Sequence, residues 1–396
     1  MKFVYIIFLT LTCLGITLSD FFLQNLLLGL NQSYLVLPLI LFSLIYYKKE
    51  FKTKFFKNII IYISLGIIIF SIYGFKNFDL LSNLTGTVLV AFSFYNFKFT
   101  PLIHKYLLNT YIINAIIFCV FYYIGYYDVN FSGRSSFIGH NENYLSQLLN
   151  IGLAFSLYKY FQSSGNLAKR VYLFSSISHI LPIFSTGSRT GITLMIITLL
   201  IMFWNSIGII ARFLLIVGIF IFFILDTTYI TQLSNKFEYV KLFVDRASDS
   251  KNDERGDLWN ISLNLAKDNF FTGVGFDRFY DENWRRSVGL YYEIYDSELG
   301  RYYSQSMSVH NSYLDLIMIG GVWLLFYFNY LFYYPLKNAV QFLRIGNLKY
   351  TGLLILILLL NVVMFSFTGQ GATQKITWLL IGISYFLIDS NKRIVV

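Results

Sequence analysis

Four stretches of the sequence hold residues able to do chemistry. They are Arg134 and His140 in GRSSFIGHNENYLSQLLN (133–150), Arg189 in FSTGSRTG (184–191), Arg255 in NDERGDLWNISLNLAKDNFFTGVG (252–275), and His310 in SVHNSYLDLIMIGG (308–321). An arginine offers a permanent charge and a planar fork of donors suited to a phosphate or carboxylate. A histidine can accept a proton near neutral pH. The set suits a reaction in which an anion is held and a proton removed. Nucleophile-elbow, Walker A, HExxH, zinc-ligand and DxD patterns do not occur, so neither a metal nor another cofactor is expected.

The spacing around these residues adds detail. Asn143, Gln147 and Asn150 recur at i, i+4 and i+7 and form one polar stripe. In a membrane helix such a stripe faces the bundle interior or a wet cavity, as interhelical glue or as a binding surface. A tight turn puts Arg189 at a helix N-terminus, where a cation opposes the macrodipole and a bound anion would relieve the conflict. A lipid-headgroup anchor is the plainer reading of that arginine. Asp245, Asp249, Asp253 and Asp257 recur every fourth residue, but without the glycine and glutamate of an EF-hand loop they read as a solvated acidic face. Asn311 and Asp315 share a helical face that His310 does not.

These residues need a membrane scaffold. Of the 396 residues, 56% are hydrophobic and 13% charged, with a mean hydropathy of +0.58, far below the roughly one-quarter charged residues of a soluble domain. Many of the 41 Phe and 32 Tyr suit the two bilayer interfaces. The net charge of +10 comes from Lys and Arg flanking apolar runs, not from a nucleic-acid-binding face. Cys13 and Cys119 both lie in apolar segments, which argues against a disulfide framework. The run from Phe3 to Leu18 lacks a small-x-small cleavage site and reads as a retained first span.

Spans of about 20 apolar residues are predicted near 3–19, 27–47, 56–74, 80–97, 106–126, 144–161, 171–186, 190–205, 207–225, 311–334, 351–368 and 373–389. The expected fold is an all-α polytopic transmembrane bundle of about twelve spans. It divides into a bundle over 1–225, a large extracytoplasmic loop over 226–309, and a closing bundle over 310–396. With a cytoplasmic N-terminus, the Lys48–Lys57 cluster, Lys98, Lys105, Lys159, Lys169, Arg170, Lys337, Arg344, Lys349, Lys392 and Arg393 all fall inside. Short outer loops hold only Lys76, Arg134, Arg189 and Lys375, and both termini come out cytoplasmic. Within the long loop, Glu254–Asp268 reads as an amphipathic helix with Leu258, Ile261 and Leu265 on one face, ended by the glycines of TGVG. It could lie on the bilayer or cap the bundle.

Together the four stretches resemble the O-antigen polymerase/ligase family, bacterial membrane enzymes that use undecaprenyl-diphosphate-linked glycans. HNSYLDLIMIGG is similar to that family's His-Asn-x-x-Leu segment followed by glycine, and ERGDLWNISLNLAKDNFFTGVGFDRF to its Arg…Trp…Asn-Pro-x-x-Gly-x-Gly segment, with Asn269-Phe270 in place of Asn-Pro. STGSRTG and GRSSFIGHNENYLSQ follow the same order, the family's Pro-Asn being replaced around His140–Asn143.

The resemblance implies glycosyl transfer at the outer leaflet of the bacterial cytoplasmic membrane. An acceptor hydroxyl attacks the anomeric carbon and undecaprenyl diphosphate leaves. His310 and Arg189 are the implied catalytic residues. Arg134, Arg255, Asn143, Asn311 and Gly275 are the implied substrate contacts. The favoured reading is a polymerase of lipid-linked repeat units for a capsule, O-antigen or exopolysaccharide. The alternatives are a ligase onto lipid A-core or a wall acceptor, a flippase or exporter of lipid-linked sugars, and a scaffold. Against transport, the candidate charges cluster at one surface and no repeat is visible. The implied partners are the lipid-linked oligosaccharide, membrane lipids, and a flippase and chain-length regulator of the same pathway, with no nucleic acid.

Overall fold

The apolar runs are helices in the computed structural model, which describes residues 54–73, 101–129, 135–136, 142–204, 255–296, 301–306, 309–369 and 375–395. In chain order these are α1 (Lys54–Tyr73), α2 (Pro101–Tyr123), β1 (Asp128–Val129), β2 (Ser135–Ser136), α3 (Glu142–Gln162), α4 (Asn166–Ser178), α5 (Ile180–Ser185) and α6 (Arg189–Phe203). There follow α7 (Arg255–Asp268), α8 (Phe276–Tyr280), α9 (Glu282–Ser287), β3 (Tyr291–Asp296), β4 (Arg301–Ser306), α10 (Ser312–Leu343), α11 (Lys349–Thr368) and α12 (Lys375–Val395). The strands form two antiparallel ribbons, β1 with β2 and β3 with β4, the second in register from Tyr291↔Ser306 to Asp296↔Arg301.

Helices stand at the predicted segments near 56–74, 106–126, 144–161, 190–205, 351–368 and 373–389. The segment 171–186 is two helices that meet at His179. The helix expected over 311–334 runs on to Leu343 and carries a break at Gly320 and Gly321. Segments 3–19, 27–47, 80–97 and 207–225 lie outside the described residues, as do Arg134, His140, Asp245, Asp249 and Asp253. Among the described residues, Ser312–Leu343 and Gly346–Thr368 are long and apolar enough to cross a membrane.

The described residues form two compact units. One comprises those within Phe99–Asn252 and Asn338–Asn361. Its centre is α3, whose residues from Leu145 to Tyr158 are all buried. A helix buried on every side is a core helix, and the polar residues it carries must find partners inside the bundle. Small residues let its neighbours close in: a Cβ at Gly152 would meet Ala115 of α2 and, at 2.6 Å, His179 Nε2. Polar pairs and ring contacts add to the packing of the buried leucines and Ile151 of α3. Ser156 and Ser175 share a hydrogen bond of 2.9 Å, and Phe161 stacks on Tyr350 at 4.5 Å.

The second unit comprises the described residues within Val36–Lys98, Asp253–Lys337 and Val362–Val396. Aromatic contacts hold α1, α10 and α12 together. Trp378 packs against Tyr62 at 4.9 Å and Phe328 at 5.9 Å. Tyr385 donates to the Leu331 carbonyl at 2.9 Å and accepts from Asn58 at 3.1 Å. A buried phenol needs such partners, because an unpaired one costs about 1–3 kcal/mol.

Candidate functional site

The HNSYLDL segment opens α10 in an unusual backbone state. His310 is half-buried with φ of 53°, the left-handed region that side chains other than glycine seldom enter. Its neighbours on both sides are fixed. The Val309 carbonyl accepts the Trp259 indole N–H at 3.0 Å. Asn311 caps α10, its Oδ1 accepting from the Tyr313 N–H at 3.0 Å and the Leu314 N–H at 3.3 Å. Ser312 donates to the Gly369 carbonyl at 3.0 Å. A left-handed residue costs about 1–2 kcal/mol, and one hydrogen bond returns about 0.5–1.5 kcal/mol. Several ties are therefore needed to hold His310, and several are present.

Trp259 brings its own helix to the His310 segment. It lies on α7, with Leu258, Ser262 and Ala266 buried beside it, and its ring meets Phe367 edge-on at 5.3 Å. Arg255 is the first residue of α7, four before Trp259. The first turn of α7, which Arg255 opens, therefore stands about 6 Å along the helix axis from the indole that grips the residue before His310.

The far end of α7 is locked to α10 by backbone alone. The TGVG segment runs beside the break in α10, where Val274 N–H donates to Met318 O at 2.6 Å and Gly275 N–H to Ile319 O at 3.0 Å. In return Val322 N–H donates to Phe270 O at 2.7 Å. The broken turn thus keeps its hydrogen bonds by exchanging them with the loop. The approach leaves no room for side chains. A Cβ at Gly273 would lie 2.5 Å from Ile319 O, and one at Gly321 would overlap Phe271 O. Both residues also have positive φ, 69° and 66°, where glycine is the residue without penalty. Tyr73 of α1 closes the lock, its hydroxyl donating to Gly273 O at 2.8 Å and its ring covering Gly275.

One turn into α10, the Asp315 side chain is buried and its Oδ1 has no hydrogen-bond partner. Arg285 of α9 is the cation within electrostatic reach. Its own side chain is held by a 2.7 Å bond from Nε to Phe279 O and by the Phe279 ring, 5.0 Å from the guanidinium.

The first unit holds the other arginine turn. Ser188 is the N-cap of α6 and accepts from Gly191 N–H at 3.3 Å, which makes Arg189 the first helical residue. Arg189 and Thr190 are half-buried there. The stripe on α3 packs against this turn: Asn150 Nδ2 donates to Gly191 O at 3.0 Å and to Ser146 O at 2.9 Å. Gln147 donates to Asn361 Oδ1 at 3.0 Å. Glue is therefore what Gln147 and Asn150 provide, while Asn143 stays half-buried in the first turn of α3.

Arg255, Gly275, His310 and Asn311 thus belong to the second unit, while Arg189 and Asn143 belong to the first. Asn311 spends its carbonyl on the helix cap, and Gly275 is buried in the lock. The indole tie of Trp259, the part played by Tyr73 and buried His179 were not singled out from the sequence, and Asp315 was read there only as sharing a helical face with Asn311. The serine-rich SSIS before His179 was the available signal for that histidine. Its ring sits at the α4–α5 joint, with Nδ1 against Ser175 O and Nε2 without a partner.

A helical protein whose His310 segment is tied to the helix opened by Arg255, beside a broken apolar helix, is thereby defined. Residues 171–329 match the model of the O-antigen ligase family, which bears out the resemblance to the O-antigen polymerase/ligase family read from STGSRTG, the α7 segment and HNSYLDLIMIGG. The match takes in Arg189, Arg255, Gly275, His310 and Asn311 and ends before neither glycine of the lock. No curated protein matches the chain.

Proposed function

We propose that the chain is a multi-pass membrane glycosyltransferase of about twelve spans that polymerises lipid-linked oligosaccharide repeats into a surface polysaccharide. The observation that carries this reading is the Trp259–Val309 hydrogen bond, which ties the helix opened by Arg255 to the segment of His310. An arginine and a histidine on one mount are what the reaction needs. The diphosphate leaving group is already anionic and requires positive charge rather than a proton. Arg255 and Arg189 supply that charge. The acceptor hydroxyl must lose a proton as it bonds to the anomeric carbon, and His310 takes it. The sugar–phosphate C–O bond breaks and undecaprenyl diphosphate departs with its electron pair. The long loop and both arginines face the outer leaflet, and both termini lie in the cytoplasm.

The test is His310→Ala and Arg189→Ala in the native host, with surface glycans resolved on a gel. Loss of long ladders with single lipid-linked repeats retained outside is the expected outcome. Unchanged ladders in both variants would sink the assignment. Full-length polymer left on its carrier would instead mark a ligase, and repeats trapped on the cytoplasmic leaflet a flippase.

A further inference from the structure

α10 is longer than the hydrocarbon layer of a bilayer is thick. Its 32 residues extend about 48 Å at 1.5 Å per residue, against a hydrocarbon layer of about 30 Å. The break at Gly320 and Gly321 divides it unequally. The part after the break, from Val322 to Leu343, extends about 33 Å and matches the layer by itself.

The exposed side chains mark the same level. Trp323 and Phe326 directly follow the break and are 55% and 57% exposed. The Phe270–Val322 hydrogen bond fixes the loop after α7 at that height, where Phe270 and Phe271 are 44% and 65% exposed with rings in edge contact at 5.3 Å. Toward the other end, α10 exposes Tyr330, Tyr333 and Leu336, and then Lys337. On the His310 side the exposed surface becomes more polar, with Asp257, Lys267, Asp268 and the Glu282–Arg286 pair beside exposed Leu263. Aromatic residues at one level, an apolar stretch, and a long cation near the far end are the pattern of a bilayer-crossing segment. A broken turn is tolerated at that level because the loop supplies its hydrogen bonds.

We propose that the Gly320–Gly321 break marks the hydrocarbon boundary of one leaflet, and that Phe270, Phe271, Trp323 and Phe326 form a collar inserted in the interfacial layer of the lipid. The loop between α7 and α8 is then a membrane-seated platform rather than a free loop. Ser312 stands eight residues, about 12 Å, above the boundary, and the headgroup layer is about 5–7 Å deep. His310 therefore works just beyond the headgroups. On the glycosyl-transfer reading, a lipid diphosphate among the headgroups would put its first sugars at that height.

The experiment reads depth and not transfer, so its result is independent of the proposed chemistry. The full chain, with Cys13→Ser and Cys119→Ala, carries Phe271→Cys, Trp323→Cys or Glu282→Cys, is spin-labelled, and is placed in phosphatidylcholine–phosphatidylglycerol vesicles. Positions 271 and 323 should be several-fold more accessible to oxygen than to a water-soluble nickel chelate, with the reverse at 282. Preference for the nickel chelate at 271 and 323 overturns the proposal, and so does protection from both reagents, which would mean a second copy of the chain covers the patch. A measurement free of cysteine variants stands beside it. Lipids brominated near the headgroup should quench the unmodified protein more than Trp323→Phe, and equal quenching of the two also overturns the proposal.

Discussion

Trp259 holds the segment of His310 by its backbone: the indole N–H is bound 3.0 Å away, to the carbonyl of Val309. The bond therefore acts on the backbone that presents the histidine. Trp259→Phe keeps an aromatic ring on the Phe367 side and removes the N–H donor together with the pyrrole part of the indole. The loss is expected to be about 1 kcal/mol, similar to the cost of the left-handed residue it offsets. Transfer should fall up to roughly tenfold with the fold intact, measured as ladder length and as thermal unfolding in detergent. Full activity in Trp259→Phe would show that the bond does not position His310.

His310→Ala should abolish most transfer while leaving the protein folded. A positioned base contributes about 10²–10⁴ in rate, and the ties at Val309, Asn311 and Ser312 do not involve the imidazole. The two readouts are polymer synthesis and thermal unfolding. A collapse of both together would make His310 a packing residue.

The glycine lock predicts a contrast within one region. Gly273→Ala and Gly321→Ala each drive a Cβ into a carbonyl at positive φ and should cost more than about 2 kcal/mol, enough to reduce folded protein in the membrane. Gly256→Ala is the control. Gly256 is exposed on α7 with open space around it, and alanine there should stabilise by roughly 0.5–1 kcal/mol. Comparison of folded yield by size exclusion decides the matter, and equal yields for all three would refute the lock.

Gln147 and Asn361 should behave as a pair. Gln147→Leu or Asn361→Leu leaves the other amide buried and unpaired, at about 1–3 kcal/mol. The double variant should recover about 0.5–3 kcal/mol of the summed loss. A double-mutant cycle by thermal unfolding measures this, and strictly additive losses would mean that the 3.0 Å bond carries no coupling.

What the sequence made legible follows the range of the forces involved. Local signals read well. The tight turn before Arg189 marked the start of α6, the apolar face of Glu254–Asp268 marked α7, and the entry of the long loop into a span at His310 marked α10. The TGVG glycines were correctly read as the end of α7, but their second partner was hidden. Gly273 is small because a backbone forty-six residues further on lies against it, and no periodicity records that. The same holds for Gly321, which in a sequence looks like an ordinary glycine within a span. The stripe on α3 showed that its amides would be turned inward, and not which helix would receive them. A buried polar group displays its need for a partner in sequence, while the partner is settled by packing.

The mount around His310 grips a carbonyl, a cap and a serine, and none of these three ties uses the imidazole. A chain with a mute residue at 310 would still be built, inserted and able to engage its substrates. Such a variant is a natural trap: it should compete with the intact protein when the two are co-expressed, and it would hold an otherwise fleeting lipid-linked intermediate long enough to be isolated and read by mass spectrometry.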